Sequence, residues 1–395
     1  MSEAGGIDRR HAEALDAADP LAPFRERFLV DDPDVVYLDG NSLGRLPLAT
    51  ARRLQEAVGR EWGTELVGAW DHWIDLPVQV GDEIGRVVGA APGQVAVSDS
   101  TTVNLYKLAV AATRHRRGVT VVDPGEFPTD RYVLAGLAPD SEVRWAAPAD
   151  LDAALAPGDV ALVVYSLVDY RTAELRDLRA ITQRVHDTGA LALWDLSHAA
   201  GSVPVDLDGA GADLAVGCTY KYLNGGPGSP AFLYVRRDLQ AALDQPIHGW
   251  FGQREQFVMG PAYDPQPDIR RFLTGTANVL ALHAIREGVA LTIEAGIDAL
   301  RAKSIAQTDL AVELFDAWLA DRGFSLGSPR DSARRGSHVA VRHADGAEIA
   351  ARLWRDARVV VDFRMPDVIR LGIAPLYTRF VDVWDALARL RDVAG

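Results

Sequence analysis

The sequence predicts an α/β protein with a large domain, built on a mostly parallel sheet, and a smaller C-terminal α/β domain. Short β-branched segments alternate with amphipathic helical patterns between about residues 94 and 236. The segment DVALVVYSL (159–167) is apolar at nearly every position, which is typical of a strand buried on both faces. Beyond about residue 280 the pattern changes to a long helical region followed by short strands. Such alternation indicates parallel strands that are joined by crossover helices and covered by helices on both faces.

The large domain is expected to span residues 46–290. Short apolar runs predict its strands, and apolar residues at helical spacing predict its helices. Gly189 fits the position that follows the last turn of a helix, where glycine is frequent. The predicted elements are, in chain order, strand 94–99, helix 102–116, strand 119–123, helix 129–138, strand 159–167, helix 174–189, and strands 191–195, 212–217 and 231–236.

The smaller domain is expected to span residues 291–395, and residues 1–45 are expected to pack with it. A helical region is predicted around residues 280–320, across the boundary between the two domains. The elements predicted after it are strands 337–342, 357–362 and 368–372 and a final helix 378–393.

Composition restricts the possible partners and compartments. The formal net charge is −14, which argues against nucleic acid or an anionic membrane as the main partner. The single cysteine, Cys218, rules out an intrachain disulfide and suits a reducing cytoplasm. The N-terminal segment lacks the apolar core of a signal peptide, and no apolar run approaches the ~18 residues of a membrane span. We therefore expect a cytoplasmic protein.

The rarity of lysine draws attention to Lys221. The chain has 41 basic residues, and only Lys107, Lys221 and Lys303 are lysines. Arginine keeps its proton in proteins and cannot act as a nucleophilic amine, whereas a buried lysine can. The commonest use of such an amine is an imine bond to pyridoxal 5′-phosphate (PLP). A surface lysine would be the alternative interpretation.

Three neighbouring features favour the PLP interpretation. Asp195 ends a predicted strand and could pair with a pyridine nitrogen, although strand-end aspartates often serve only in turns. Thr101 and Thr102 open a helix whose N–H groups could bind a phosphate, although the same segment could be a simple N-cap. Phe127 follows a strand and could stack on a ring or lie in the core. The run Asn-Gly-Gly-Pro-Gly (224–228) would let the chain turn sharply beside the cofactor, or it could be a plain loop.

Other site types lack their motifs. The nine histidines show no zinc-site spacing, and one cysteine cannot form a cysteine cluster. GGPG is not followed by Lys-Ser or Lys-Thr as in a P-loop, and no G-x-G-x-x-G follows an early strand. No G-x-S-x-G nucleophile elbow is present. We therefore expect no metal site.

Several segments, in the same order along the chain, resemble the kynureninase family from about residue 37 to near the C-terminus. The segments 37–47 and 220–235 are specific to the family, and the others support the resemblance. They are YLDGNSLGRLP (37–47), DSTTVNLYK (99–107), EFPTD (126–130), WDLSHAAGSVPVDL (194–207), YKYLNGGPGSPAFLYV (220–235), GWFG (249–252), RRFLTGT (270–276) and VIRLGIAPLY (368–377).

The resemblance implies a fold type I PLP enzyme, like the aspartate aminotransferases, that works as a cytoplasmic homodimer. It also implies hydrolysis of the Cβ–Cγ bond of L-kynurenine or 3-hydroxykynurenine. The products would be anthranilate or its 3-hydroxy form and L-alanine, as in tryptophan catabolism and the kynurenine pathway to NAD.

The resemblance also implies roles for individual residues. Lys221 would hold PLP and later remove the Cα proton, and Tyr220 would shuttle a proton to the hydrate of the γ-carbonyl and then to Cβ. Trp250 and Thr276 would reach the cofactor from the neighbouring subunit. The remaining cofactor-binding residues would be Thr101, Thr102, Phe127, Pro128, Thr129, Asp130, Ser166, Asp195, His198 and Tyr220, and the substrate-binding residues would be Arg370 and Trp70.

The sequence departs from the family pattern at Ala277-Asn278, where members commonly have two prolines, and varies at Leu167 and Asp169. These departures leave open the choice between kynurenine, its 3-hydroxy form and a modified ring in a biosynthetic pathway. An aminotransferase uses the same lysine, aspartate and arginine, and a PLP-binding regulator is a further alternative. A cysteine desulfurase would need a mobile cysteine, and Cys218 is only three residues from Lys221.

Overall fold

A computed structural model describes residues 8–137 and 141–395 of the chain. Ala138, the last residue of the predicted helix 129–138, lies outside these residues, as do the first seven residues of the segment 1–45. The strands of the described residues are β1 (Val36–Tyr37), β2 (Val95–Val97), β3 (Val119–Val122), β4 (Val143–Trp145), β5 (Val160–Ser166), β6 (Leu191–Asp195), β7 (Leu214–Gly217), β8 (Phe232–Val235), β9 (Ser325–Leu326), β10 (His338–Arg342), β11 (Val359–Val360), β12 (Asp362–Arg364) and β13 (Val368–Gly372).

The helices lie between and around these strands. A π-helix covers Ala57–Glu65, and 3₁₀ helices cover Ala22–Arg27, Leu66–Ala69, Pro148–Asp150, Trp250–Gly252, Gln256–Val258, Ile269–Phe272 and Ser332–Arg334. The α-helices of the described residues are α1 (Arg9–Ala17), α2 (Leu48–Glu56), α3 (Trp70–Trp73), α4 (Leu76–Val88), α5 (Thr101–His115), α6 (Pro128–Ala135), α7 (Leu151–Leu155), α8 (Leu178–His186), α9 (Leu207–Ala210), α10 (Arg237–Gln240), α11 (Val279–Ala295), α12 (Ile297–Trp318), α13 (Gly346–Ala357) and α14 (Phe380–Ala394).

The central sheet has seven strands in the order β2-β8-β7-β6-β5-β3-β4. Strand β8 runs antiparallel to β2 and β7, and the other neighbouring strands pair in parallel. Alternate side chains of β5 enter two different apolar cores, with Val163 on one face and Val164 on the other. The mostly parallel sheet buried on both faces is thus confirmed.

Most predicted elements of the large domain are confirmed within a few residues, helix 174–189 begins later than predicted, and one strand and several helices were not predicted. Strand β4 at the edge of the sheet was not predicted, because three partly exposed residues carry no apolar pattern. Helix α8 begins at Leu178 rather than 174, since the Asp177 side chain caps it by accepting the Ala180 N–H, and Glu174 bridges to Arg335 instead.

The C-terminal part forms a four-stranded antiparallel sheet in the order β12-β13-β10-β9. The prediction of one strand over 357–362 is wrong. Two short strands occupy this region, and β11 pairs with β1 whereas β12 pairs with β13. The predicted helical region 280–320 is divided into α11 and α12 at Gly296, whose φ is +78°.

The N-terminal residues contact this C-terminal part. Strand β1 pairs in parallel with β11, and the Asp16 carboxylate accepts the N–H groups of Phe380 and Val381 at the start of α14. The domain boundaries near residues 45 and 290 stay predictions. Among the described residues, no helix is both long and apolar enough to cross a membrane.

The strand order brings several strand ends to one edge of the central sheet. Strand β5 ends at Ser166 and the adjacent β6 at Asp195, and their last residues are paired in register. The segment after β3 carries Phe127, and the segment after β7 carries Lys221. Ligands of parallel sheets bind outside the carboxyl ends of the strands, so this edge is the expected location of a site.

Candidate active site

A cavity of about 280 Å³ lies at this edge of the sheet. The predicted site residues that line it are Thr101, Thr102, Phe127, Thr129, Asp130, Ser166, Asp195, His198, Tyr220 and Lys221. Pro128 is not among the lining residues and forms the first turn of α6. The other lining residues were not named as site residues, although Ser100 and Gly228 lie in segments predicted to flank the cofactor; they are Ser42, Ser100, Ser197, Gly228, Ser229 and Arg364.

Lys221 is held by a tight turn next to the cavity. The Asn224 N–H donates to the Lys221 carbonyl at 3.0 Å, and Asn224 adopts φ +54°. Gly225 approaches its neighbours so closely that a Cβ would lie 2.8 Å from the Ile285 side chain. Glycine is therefore required at position 225, because a side chain there would displace the turn that carries the lysine.

The Lys221 amine faces an aromatic ring and a neutral imidazole. Its Nζ lies 6.0 Å from the centroid of the Phe127 ring and 3.3 Å from His198 Nε2. Burial, followed by the positive charges of Lys221 and Arg370, holds the pKa of His198 well below its ordinary value. His198 is therefore uncharged at neutral pH and can accept a hydrogen bond from an ammonium group.

Two carboxyl groups meet inside the cavity. Asp195 Oδ1 accepts the Ser197 N–H at 2.6 Å, which fixes the carboxylate at the end of β6. Asp130 is buried, and within the described part of the chain neither of its oxygens has a hydrogen-bond donor. Burial and the nearby charge of Asp195 raise the pKa of Asp130 well above its ordinary value. Within the described residues, Asp130 therefore lacks a hydrogen-bond donor, and the nearby charge of Lys221 offsets only part of the effect of burial on its pKa.

A helix N-terminus forms the opposite wall. The Ser100 side chain accepts the Val103 N–H as the N-cap of α5, which places Thr101 and Thr102 in its first turn. The Ser166 N–H donates to Glu126 Oε1 at 2.6 Å, and Arg176 donates to the same oxygen at 2.8 Å. Free N–H groups and hydroxyls at the start of a long helix are suited to binding a phosphate.

Tyr220 keeps its proton. The adjacent Cys218 sulfur, together with burial, raises the pKa of the Tyr220 phenol above its ordinary value. Burial likewise raises the pKa of Cys218, which is almost fully buried and packs against Ser197. A buried thiol of this kind is a poor nucleophile, so it does not serve as the mobile cysteine of a desulfurase.

Arg370 lies directly behind the cavity wall and does not line it. The guanidinium donates to both carboxylate oxygens of Asp362, to the Tyr170 carbonyl and to the Ser42 hydroxyl. Arg370 contacts two residues that line the cavity, the unpredicted Ser42 and the predicted His198, and the unpredicted Arg364 also lines it. Ser42 belongs to the specific motif YLDGNSLG, so that motif contained a usable signal, whereas Arg364 lies outside every motif that carried the resemblance.

Three predicted site residues lie together outside the Lys221 cavity: Trp250, Thr276 and Trp70. Trp250 Nε1 donates to Thr276 Oγ1 at 3.2 Å, and the rings of Trp70 and Trp250 are 6.3 Å apart. None of these three side chains lines the Lys221 cavity within one chain. Their location outside the cavity of their own chain is compatible with action on a neighbouring subunit's site. That role of Trp250 and Thr276 stays a prediction.

The cavity fits PLP by the chemistry of its walls. The unpartnered Asp130 oxygens and the Asp195 carboxylate suit the N–H of a pyridinium ring, and Phe127 offers a ring face. The start of α5 suits the phosphate, and the lysine amine suits the aldehyde.

Known proteins resemble this chain in sequence and in structure. A family model described as the kynureninase C-terminal domain matches residues 300–390. The kynureninase of Burkholderia pseudomallei (strain 1106a) is 45% identical over 398 residues, covering 98% of this chain and 95% of the relative. The crystal structure of a cysteine desulfurase from Escherichia coli superposes with a TM-score of 0.80 at 18% identity, covering 94% of this chain and 98% of that chain.

A further solved structure shares the fold. It is a lysine-to-alanine mutant of C-DES with glycine covalently linked to its PLP cofactor, with a TM-score of 0.79 and 17% identity. The superposition covers 98% of this chain and 100% of the C-DES chain. The kynureninase relative indicates the family of the chain, whereas the two solved structures, at 18% and 17% identity, establish the fold alone.

Proposed function

The chain belongs to the kynureninase family, and from this premise we propose that the cavity around Lys221 is its active site. The activity is PLP-dependent hydrolysis of the Cβ–Cγ bond of L-kynurenine or 3-hydroxykynurenine, which yields anthranilate or its 3-hydroxy form and L-alanine. The observation that carries the assignment of the site is the lysine amine beside Phe127, in the same cavity as the Asp130–Asp195 pair and the start of α5.

Different residues of the cavity would bind different parts of the cofactor. Lys221 would hold its aldehyde carbon, Asp195 and Asp130 would accept from its ring nitrogen, and Phe127 would stack on its ring. Thr101 and Thr102 would bind its phosphate at the N-terminus of α5. Bound in this way, PLP supplies an electron sink for carbanions that form next to the substrate's amine-bearing carbon.

Lys221 and Tyr220 handle the protons of the reaction. Hydrolysis adds water across the Cβ–Cγ bond, so that Cγ becomes a carboxylate and Cβ takes up a proton as the methyl group of alanine. The free Lys221 amine accepts the Cα proton and returns a proton to Cα when L-alanine is formed, and the neutral His198 lies 3.3 Å from its Nζ. The Tyr220 phenol, which keeps its proton, donates to Cβ. Positioned acid–base groups of this kind contribute roughly 10²–10⁴-fold.

We further propose a homodimer in which Trp250 and Thr276 complete the partner's site. Support comes from their exclusion from the cavity of their own chain and from two exposed apolar segments. Large apolar side chains exposed in groups are typical of protein interfaces. The exposed residues are Val58, Trp62, Leu66 and Val67 in one segment and Phe257, Val258 and Met259 in the other. A cytoplasmic location is also proposed, because the single cysteine suits a reducing compartment.

The same substitution at two lysines tests the proposed site. Lys221→Arg keeps the positive charge and removes the amine chemistry, so we expect loss of the visible PLP band and of product formation. Lys303→Arg is the matched control, since Lys303 forms an ion pair with Asp19 far from the cavity and arginine can keep that pair. Absorbance with added PLP and fluorescence of the aminobenzoate product, with L-kynurenine and with 3-hydroxykynurenine, are the measurements.

The possible results separate cofactor, site and reaction. Product formation by the Lys221→Arg variant at the wild-type rate would disprove the assigned lysine. A PLP band in the wild type without cleavage of either substrate would leave the cofactor site in place and overturn the reaction. The ratio of the two substrate rates in the wild type shows which ring the protein prefers.

A further inference from the structure

The hydroxyl of Ser166, which lines the cavity, is directed toward a buried glutamate. Its Oγ donates to Glu126 Oε2, and the Ser166 N–H donates to Glu126 Oε1 at 2.6 Å. A serine hydroxyl has one proton to donate and two lone pairs that accept. Because Glu126 takes that proton, the Ser166 hydroxyl can only accept hydrogen bonds from a ligand in the cavity. A phosphate needs donors, so this orientation does not suit the phosphate end of a cofactor.

The strand order places Ser166 beside Asp195 and away from the start of α5. Ser166 and Asp195 are the paired last residues of the adjacent strands β5 and β6. Helix α5 follows β2 at the edge of the sheet, and β8, β7 and β6 lie between β2 and β5. Neighbouring strands are about 4.8 Å apart. Of the two ends of a cofactor, the ring nitrogen at Asp195 is therefore closer to Ser166 than the phosphate at α5.

Arg176 holds Glu126 in this position. Its side chain is 7% exposed, and its Nη1 donates to Glu126 Oε1 and to the Ser166 carbonyl, both at 2.8 Å. Its Nη2 donates to Asp123 Oδ2 at 2.5 Å, which fixes the guanidinium from a second side. Burial raises the pKa of Glu126, whereas the charge of Arg176 and the two Ser166 donors oppose that rise. Arg176 thus favours the carboxylate form of Glu126, which is the form that accepts the Ser166 hydroxyl.

Glu126 also acts on the other acids of the cavity. Burial, followed by the negative charges of Asp195 and Glu126, raises the pKa of Asp130. Carboxyl groups of three residues therefore act at this end of the cavity. Together they favour a protonated, positively charged ring nitrogen over a neutral one.

We propose that Glu126 and Arg176 are positioning residues for the ring nitrogen of the cofactor. Arg176 keeps Glu126 charged, and Glu126 fixes Ser166 as a hydrogen-bond acceptor at the ring-nitrogen end of the cavity. Neither Glu126 nor Arg176 lines the cavity, so both act through Ser166 and through their charge. This inference rests on the proposed PLP site around Lys221 and deepens it, because it assigns Ser166 to the ring rather than to the phosphate.

The experiment compares PLP with two analogues that each lack one part of it. In the first a C–H group replaces the ring nitrogen, and the second is pyridoxal, which has no phosphate. Calorimetry measures the affinity of the cofactor-free protein for all three compounds. In Glu126→Gln the amide nitrogen would donate to Ser166 Oγ and turn its hydroxyl toward the cavity. We expect the preference for PLP over the C–H analogue to fall about tenfold or more and the preference over pyridoxal to stay unchanged.

Two control variants show whether the change is specific. Thr101 lies at the start of α5, so Thr101→Ala should show the opposite pattern, a weaker preference for PLP over pyridoxal alone. Glu61 is a buried glutamate that is paired with Arg53 outside the cavity, and Glu61→Gln should change neither preference. Equal weakening of all three compounds in Glu126→Gln, a loss of preference over pyridoxal alone, or unchanged affinities would each overturn the proposal.

Variants of Arg176 test its action through Glu126. Arg176→Gln removes the charge that keeps Glu126 ionised, and we expect the same loss of preference as in Glu126→Gln. Arg176→Lys keeps the charge and should retain part of the preference, even if the glutamine variant folds poorly. In the Glu126→Gln protein, Arg176→Gln should have no further effect. A further loss in that background, or a preference in Arg176→Lys as low as in Glu126→Gln, would contradict the role of Arg176.

Binding by the wild type separates this inference from the proposed function. A wild-type protein that does not bind PLP would contradict the proposed function itself. A wild-type protein that binds PLP, with a preference for the ring nitrogen that Glu126→Gln leaves intact, would contradict the positioning role alone.

Discussion

At the scale of single residues, the state of Tyr220 decides which proton steps it can perform. Its neighbour Cys218 and burial both disfavour the phenolate and raise the pKa, so the group is a proton donor at neutral pH. This protonation state matches protonation of Cβ after the carbon–carbon bond has broken. A phosphate bound at the start of α5 would add a negative charge and keep the phenol protonated more firmly still.

Replacement of Tyr220 by phenylalanine should therefore affect turnover and leave the fold intact. We expect kcat for L-kynurenine to fall about 10²-fold or more, because a positioned acid is removed. The PLP absorbance band should be retained, since Lys221 and Asp195 are unchanged. Tyr132→Phe is the control, as Tyr132 lies on α6 and is largely exposed. Full turnover in the Tyr220→Phe protein would show that another group protonates Cβ.

At the scale of elements, Asp99 joins three segments that meet next to the start of α5, where we propose that the phosphate binds. Its Oδ2 accepts from Lys107 at 2.7 Å and its Oδ1 accepts from Thr274 Oγ1 at 2.9 Å. Lys107 is fully buried and also donates to the Phe272 carbonyl at 2.7 Å. The ion pair between Asp99 and Lys107 thus fixes the start of α5 against the segment that leads to Thr276.

Lys107→Met should consequently weaken both stability and cofactor binding. It leaves the Asp99 carboxylate partly buried without its cation, which costs about 3 kcal/mol or more in the free energy of unfolding. Urea denaturation and titration with PLP measure the two effects. In the double variant Asp99→Asn/Lys107→Met no charge is left unpaired, and we expect it to recover part of the lost stability. A double variant as unstable as Lys107→Met alone would contradict this explanation.

Which elements the sequence could predict depends on how much apolar surface each one buries. The strands β5, β6 and β7 are buried on both faces, and their continuous apolar runs predicted them closely. The edge strand β4 buries little and carried no pattern. The run of valines at 359–361 predicted one strand, but tertiary pairing with β1 on one side and β13 on the other divides it. After that division Arg364, at the end of β12, lines the cavity, and a local pattern does not encode this position.

At the scale of the whole molecule, the site lies where the central sheet meets the C-terminal part. The meeting of Lys221, Asp195 and Phe127 could be predicted because each ends or follows a strand of one sheet and because parallel strands end at a common edge. Arg364 could not, since its approach to the cavity depends on the packing of β12 against segments far away in sequence, among them the N-terminal segment that carries Ser42. Long-range packing of this kind leaves no local signal in composition or spacing.

The proposed dimer makes a prediction that concerns two chains at once. Lys221→Ala removes a residue that acts in its own chain, whereas Trp250→Ala/Thr276→Ala removes residues proposed to act on the partner. Each variant alone should therefore form inactive dimers. In a heterodimer of the two, one site combines the intact Lys221 of one chain with the intact Trp250 and Thr276 of the other, and this site should be native.

Mixing and reassociating the two inactive proteins should therefore restore activity. Random pairing at equal amounts makes about half of the dimers heterodimers, each with one native site of two, so we expect about a quarter of the wild-type activity per chain. The measurement is L-kynurenine cleavage after mild dissociation, dialysis and addition of PLP, with each variant treated alone as the control. If Trp250 and Thr276 served their own chain, both sites of a heterodimer would be defective and mixing would restore nothing. Activity that appears only on mixing would therefore assign these two residues to the neighbouring subunit's site.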